Sequence, residues 1–101
     1  MKENRETAHL LADLYQRLLA RRTADPAHSY VARLYQQGED RILQKVGEEA
    51  IEVILAAKSG REEAIVSETA DLWFHCLVML AVHEITPEQI LQELARRFQQ
   101  G

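Results

Sequence analysis

Glycine and proline, the residues that break helices, are scarce in this chain, and they fall at segment edges. Between them the apolar residues recur at helical spacing, so the chain has little choice but to fold as packed helices. A first helix is predicted over residues 6–22, with Leu10, Leu11, Leu14, Leu18 and Leu19 on one side. Asp25-Pro26 offers an N-cap and a first helical position, so a short helix should run from there to about Gln37. Gly38 ends it. The next helix starts at Glu39 or Asp40, where acids suit the helix dipole, and runs to Lys58; Ser59-Gly60 closes it. Another covers 62–83. The last opens on Thr86-Pro87-Glu88-Gln89, a capping-box pattern, and is expected to turn Ile90, Leu91, Leu94 and Phe98 inward. The expectation is an all-α fold, an antiparallel helical bundle of about four to five helices, forming one domain over residues 1–101.

Charge and cysteine content narrow the function classes. The formal net charge is −4, which argues against a general nucleic-acid binder but not against a nucleotide whose phosphates a metal neutralises. Cys76 is the one cysteine, so a reducing compartment is the default. The polar start, MKENRETAH, holds no signal-peptide core. The longest nearly apolar run, Leu72 to Val82, is shorter than the roughly 20 residues a bilayer span requires. A soluble, cytoplasmic protein with no membrane partner is expected. At 101 residues the core is modest, which leaves room for help from a second subunit.

The chemistry is concentrated on two helices. In the third, Leu43, Val46, Ala50, Val53, Ile54 and Ala57 share one face, and Arg41, Lys45, Glu48, Glu49 and Glu52 the other. Glu49 lies near the border of the apolar face, Glu52 one turn further on, and Glu48 points more fully away. A solvated acidic face is the ordinary explanation of such a string. Yet three like charges in one turn destabilise a helix, and Lys45 offsets only part of that. The fourth helix, apolar nearly all round and therefore expected to be the most buried element, carries Glu68 and Asp71 at i, i+3. Ionised carboxylates there are costly unless paired with a cation. One alternative is a salt bridge to Arg or Lys. The other is a metal: the short 58–62 turn lays the two helices side by side, and Glu49, Glu52, Glu68 and Asp71 then form an all-oxygen cluster suited to Mg2+, or Mn2+. Such an ion would polarise a phosphoryl oxygen and position a water for in-line attack on a nucleotide. Glu48 would assist, as a group bonded to a ligand or as a helper base. His75, one turn after Asp71, is read as a buried histidine with partners of its own. Cys76 is read as core, and Trp73, Phe74 and Met79 as core or subunit interface.

The pattern Glu48-Glu49-x-x-Glu52, fifteen residues, then Glu68-x-x-Asp71 resembles the signature of the all-α MazG-type nucleotide pyrophosphohydrolases. More narrowly, the chain resembles the phosphoribosyl-ATP pyrophosphohydrolase family. The matching residues are Ser29-Tyr30, Lys45-Val46-Gly47-Glu48-Glu49-Ala50 with Glu52-Val53, Glu68 with Ala70-Asp71-Leu72, then His75 and Leu77-Val78. The resemblance covers about residues 6–98. It implies Mg2+-dependent hydrolysis of 1-(5-phosphoribosyl)-ATP to 1-(5-phosphoribosyl)-AMP and pyrophosphate, the second step of histidine biosynthesis, by a homodimer. It implies Glu49, Glu52, Glu68 and Asp71 as metal ligands. It makes Arg41 and Lys45 candidates for phosphate contacts, and Arg22, Ser29 and Tyr30 weaker candidates for the substrate's far end, with capping or surface solvation as the alternative. Val31, Arg41 and Trp73-Phe74 depart from the family pattern, and none of these touches the four acids. The cyclohydrolase domain that some relatives carry upstream is not expected here. Two other functions fit the same acids: a general nucleoside-triphosphate or deoxynucleoside-triphosphate pyrophosphohydrolase, and a non-catalytic helical interaction module.

Overall fold

The computed structural model describes residue 7 and residues 9–100. Among the described residues there are five α-helices and no strand: α1 (Leu10–Ala20), α2 (Tyr30–Gln37), α3 (Glu39–Ser59), α4 (Glu62–Val82) and α5 (Pro87–Gln100). A 3-10 turn, Arg21–Thr23, extends α1. The expected start of the first helix at Glu6 lies outside the described residues.

The helix ends follow local chemistry. The segment expected to open a helix at Pro26 is instead a turn. The Asp25 carboxylate accepts from the Ala27 N–H at 2.9 Å, and its backbone carbonyl accepts from the His28 N–H at 3.0 Å. The cap belongs to Ser29, whose Oγ accepts from the Ala32 N–H at 3.1 Å, so α2 begins four residues later than expected. Gly38, at φ +100°, lets the chain turn from α2 straight into α3, and Gly60, at φ +72°, closes α3 in the left-handed region. Thr86 and Gln89 form a capping box: the Gln89 Oε1 accepts from the Thr86 N–H at 2.9 Å, and the Thr86 Oγ1 accepts from the Gln89 N–H at 3.3 Å.

Leu18 of α1, Val31 and Leu34 of α2, Ile42 of α3, and Leu77 and Val78 of α4 make one buried cluster. The α3–α4 contact is the longest in the molecule, as the short connection through Gly60 and Arg61 requires. α4 has the length and apolarity of a membrane span, but here it lies against α3 along its length and against α1.

Three packing expectations are corrected. The face of α3 that meets its neighbours carries Ile42, Val46, Glu49, Val53 and Ala56. It is turned by roughly 70° from the face chosen by apolar periodicity, at about 100° per residue. Leu43 and Ile54 are exposed, together with Ile51 and Leu55. The sequence signal was misleading because α3 has two apolar faces, and only one of them is used inside this chain. Secondly, α4 is not buried throughout: His75, Leu77, Val78 and Ala81, in its C-terminal half, are buried, whereas Val66 and Trp73 are exposed, Trp73 at 58%. Thirdly, α5 makes only a thin contact with α1, and Ile90, Leu91, Leu94 and Phe98 remain exposed, Phe98 at 87%.

Candidate metal and phosphate site

The turn of α3 brings Glu49 from the edge to the middle of the face that meets α4. Opposite it, Glu68 and Asp71 share one side of α4. One carboxylate oxygen from each of Glu49, Glu68 and Asp71 lies within 4.8 Å of the other two. Glu49 and Glu68 are half-buried and Asp71 is exposed, so the cluster opens to solvent at its Asp71 side. Glu52 is exposed and is not one of these three, although its charge bears on Glu68. The carboxyl of Glu68 titrates above its ordinary value, first because packing strips water from it, then because Asp71, Glu52 and Glu49 repel its charged form.

Basic side chains of α3 partly offset this charge. Lys45 Nζ lies 3.2 Å from Glu49 Oε1 and 3.7 Å from Glu48 Oε1. Arg41 Nη1 lies 3.8 Å from the same Glu48 oxygen. The result is an alternating string, Arg41, Glu48, Lys45, Glu49, that leads from solvent to the three-carboxylate cluster. The Lys45 ammonium is held above its ordinary range, chiefly by its hydrogen bond to Glu49.

His75 is buried next to the site and has two partners. Its Nδ1 is 2.8 Å from the Asp71 carbonyl oxygen, which can only accept, so Nδ1 carries a proton. In the neutral ring Nε2 then accepts from the Tyr30 hydroxyl at 2.9 Å. Tyr30 also lies in stacked orientation against Phe74. The start of α2 is thereby joined to the turn of α4 that carries Asp71. The i, i+4 spacing of Asp71 and His75 was visible in the sequence; Tyr30, 45 residues from His75, carried no such signal.

The other residues singled out from sequence are placed differently. Ser29 spends its hydroxyl on capping α2. Arg22 pairs with Glu84 at 3.5 Å, just past the end of α4 and about 20 Å from Asp71 at the ordinary helical rise. The structure does not bring it to the acids. Glu48 is exposed and reaches Lys45 and Arg41, not the cluster.

The donor set suits a hard divalent cation. It is oxygen only, it is anionic, and it draws on two rigid helices. An octahedral ion with ligands at about 2.1 Å holds neighbouring and opposite oxygens about 3 to 4.2 Å apart, so three oxygens already within 4.8 Å are close to that arrangement. Soft ligands are missing from the cluster: Cys76 is half-buried elsewhere on α4, against Trp73, Leu77 and Leu80.

Comparison with known proteins identifies the family. The pattern of the phosphoribosyl-ATP pyrophosphohydrolase family matches residues 11–98, which include every carboxylate of the cluster. A protein of Nitrosomonas eutropha named phosphoribosyl-ATP pyrophosphatase is 57% identical over 88 residues, covering 87% of this chain and 75% of that protein. Proteins of the same name from Bordetella avium and Pelotomaculum thermopropionicum are 55% identical over 87 residues and 53% identical over 90. These cover 86% and 89% of this chain, and 75% and 92% of the respective relatives.

Proposed function

The chain belongs to the phosphoribosyl-ATP pyrophosphohydrolase family, and from that premise we propose that it hydrolyses 1-(5-phosphoribosyl)-ATP to 1-(5-phosphoribosyl)-AMP and pyrophosphate, the second step of histidine biosynthesis. The observation that supports this most directly is the gathering of Glu49, Glu68 and Asp71 at one open site with Lys45 and Arg41 beside it. Carboxylates bind a metal and basic groups bind phosphate; a triphosphate needs both.

Glu49, Glu68 and Asp71 would hold Mg2+, with Mn2+ as a substitute, and Glu52, one turn further along α3, would have to turn inward to join them. The ion, when bound, withdraws charge from a phosphoryl oxygen and raises the acidity of water. Lys45 and Arg41 hold the oxygens of the departing pyrophosphate and stabilise the charge that develops as the bond between the α and β phosphates breaks. Glu48 keeps these two bases aligned. Asp71, the solvent-facing carboxylate of the three, would hold the ion on the side from which water enters. Ser29 and Tyr30 contribute by fixing α2 against the Asp71 turn.

The protein works in the cytoplasm, without a membrane or nucleic-acid partner, as a homodimer. The exposed apolar face of α3, formed by Leu43, Ile51 and Ile54, supports that assembly. The deciding experiment follows pyrophosphate release from phosphoribosyl-ATP in the presence of Mg2+. Rapid, chelator-sensitive release is expected. Failure on this substrate together with good turnover of a deoxynucleoside triphosphate would overturn the assignment in favour of a general pyrophosphohydrolase. Failure on both would leave the acids as a merely structural cluster.

A further inference from the structure

We propose that Lys45 is a built-in counter-ion that competes with the divalent cation for Glu49, and that the arriving cation releases it to the phosphates. The proposal rests on the metal-site reading above and adds a mechanism for how cation and substrate help each other bind.

Glu49 is the residue on which the two roles collide. Its carboxylate belongs to the three-oxygen cluster, and the same carboxylate has the Lys45 ammonium 3.2 Å away. The side chains of this pair are 20% and 13% exposed, which makes it the best shielded ion pair among the described residues. Shielding matters because an exposed pair contributes little, while one partly withdrawn from water holds more firmly. The pair is not explained by helix stability. A Lys four residues before a Glu is the less favourable order for an isolated helix. Its benefit lies in the charge it removes from an otherwise self-repelling site.

An alternative partner of Lys45 is already in place. Glu48 Oε1 lies 3.7 Å from the ammonium on the solvent side, next to Arg41. A cation that takes Glu49 therefore displaces Lys45 towards Glu48, where it stays paired, and where two like charges, Lys45 and Arg41, leave room for a phosphate oxygen between them. The flexible lysine stem and its three donors allow this exchange, which a planar guanidinium would resist. Cation and phosphate then bind with positive coupling, because each occupies the partner that the other sets free.

The test measures Mn2+ binding by the electron paramagnetic resonance signal of free ion, with intact protein, first alone and then with inorganic pyrophosphate. Lys45→Met keeps the stem and removes the charge; Lys45→Gln is the second variant in case the first misfolds, and circular dichroism checks both. With Mn2+ alone, Lys45→Met should bind about fivefold more tightly than the unmodified protein, the effect of losing a competitor worth about 1 kcal/mol. Arg41→Met, whose guanidinium reaches Glu48 and not Glu49, should change Mn2+ affinity by less than about twofold. With pyrophosphate present, the order should reverse, since only the unmodified protein retains the ammonium that the phosphate takes over. Unchanged or weaker Mn2+ binding in both Lys45 variants overturns the proposal while leaving the metal site intact. An equal gain in Arg41→Met also overturns it, by showing a general charge effect. Absence of any Mn2+ binding to the unmodified protein removes the metal site itself, and the proposal with it.

Discussion

At the scale of single residues, the acids of the α3–α4 pair do opposite things to stability and to function. Asp71→Asn keeps size and shape but removes the charge that faces solvent at the cluster. Turnover of phosphoribosyl-ATP should fall about a thousandfold, the loss expected when several kcal/mol of charge stabilisation disappear, while the circular dichroism spectrum stays unchanged. Near-full activity in this variant would remove Asp71 from the site. Glu68 leads to a prediction about pH. Its carboxyl is raised in the folded protein, by burial and then by its acidic neighbours. Between the ordinary carboxylate range and the raised value the folded chain therefore binds more protons than the unfolded one, so stability falls as pH rises through that window. Thermal unfolding in chelator should show a midpoint that declines there, and Glu68→Gln should flatten the decline and raise the midpoint above it. A midpoint that climbs through the same window would contradict the crowding described at Glu68.

At the scale of elements, local chemistry explains most helix boundaries, and Ser29 gives a clean test of it. If the hydroxyl acts as the cap of α2, Ser29→Ala should cost about 1 kcal/mol in urea unfolding, and Ser29→Asp, which also caps, should cost little. KM should stay nearly constant in both. A raised KM with unchanged stability would return Ser29 to the substrate. The boundaries of α3 and α4 and the start of α5 were readable within a residue or two, because Gly60, the acids at Glu39 and Asp40, and the Thr86–Gln89 box act within one turn. Asp25-Pro26 misled for the same local reason: Asp25 satisfies a turn as readily as a cap, and Ser29 competes for the helix. The approach of Glu49 to Glu68 and Asp71 was readable from spacing and a short connection, but Glu52, read as a fourth member, stays outside the three. The rotation of α3 was not, because Leu43 and Ile54 look identical to core residues when no partner surface is in view. The link from Tyr30 to His75 depends on tertiary distance alone.

At the scale of the whole molecule, the apolar residues left outside support the proposed pairing of two chains. Leu43, Ile51 and Ile54 line one exposed face of α3, and Gly47 stands among them at the same helical angle. If the proposed homodimer forms through this face, Ile54→Glu should split it into monomers, which sedimentation at micromolar concentration would record; an unchanged sedimentation coefficient would move the interface elsewhere. Gly47 then becomes informative. A methyl group added there meets nothing within 4 Å in the isolated chain, so in the Ile54→Glu background Gly47→Ala should stabilise by about 1 kcal/mol, as alanine does in a helix interior. In a dimer formed through this face the same methyl group would stand between the subunits and weaken their association.

The helical hairpin of α3 and α4 has a consequence for the order in which the molecule assembles. The three carboxylates of the cluster sit on these two helices, and the connection between them is two residues, Gly60 and Arg61. Closing so short a loop costs little chain entropy, so contacts across it form early in folding. The carboxylates are therefore forced together before α1 and α5 have docked, and the nascent hairpin meets its electrostatic obstacle first. Divalent cations should consequently accelerate refolding itself, as well as slowing unfolding, whereas truncations in α5 should speed unfolding and leave the folding rate nearly untouched.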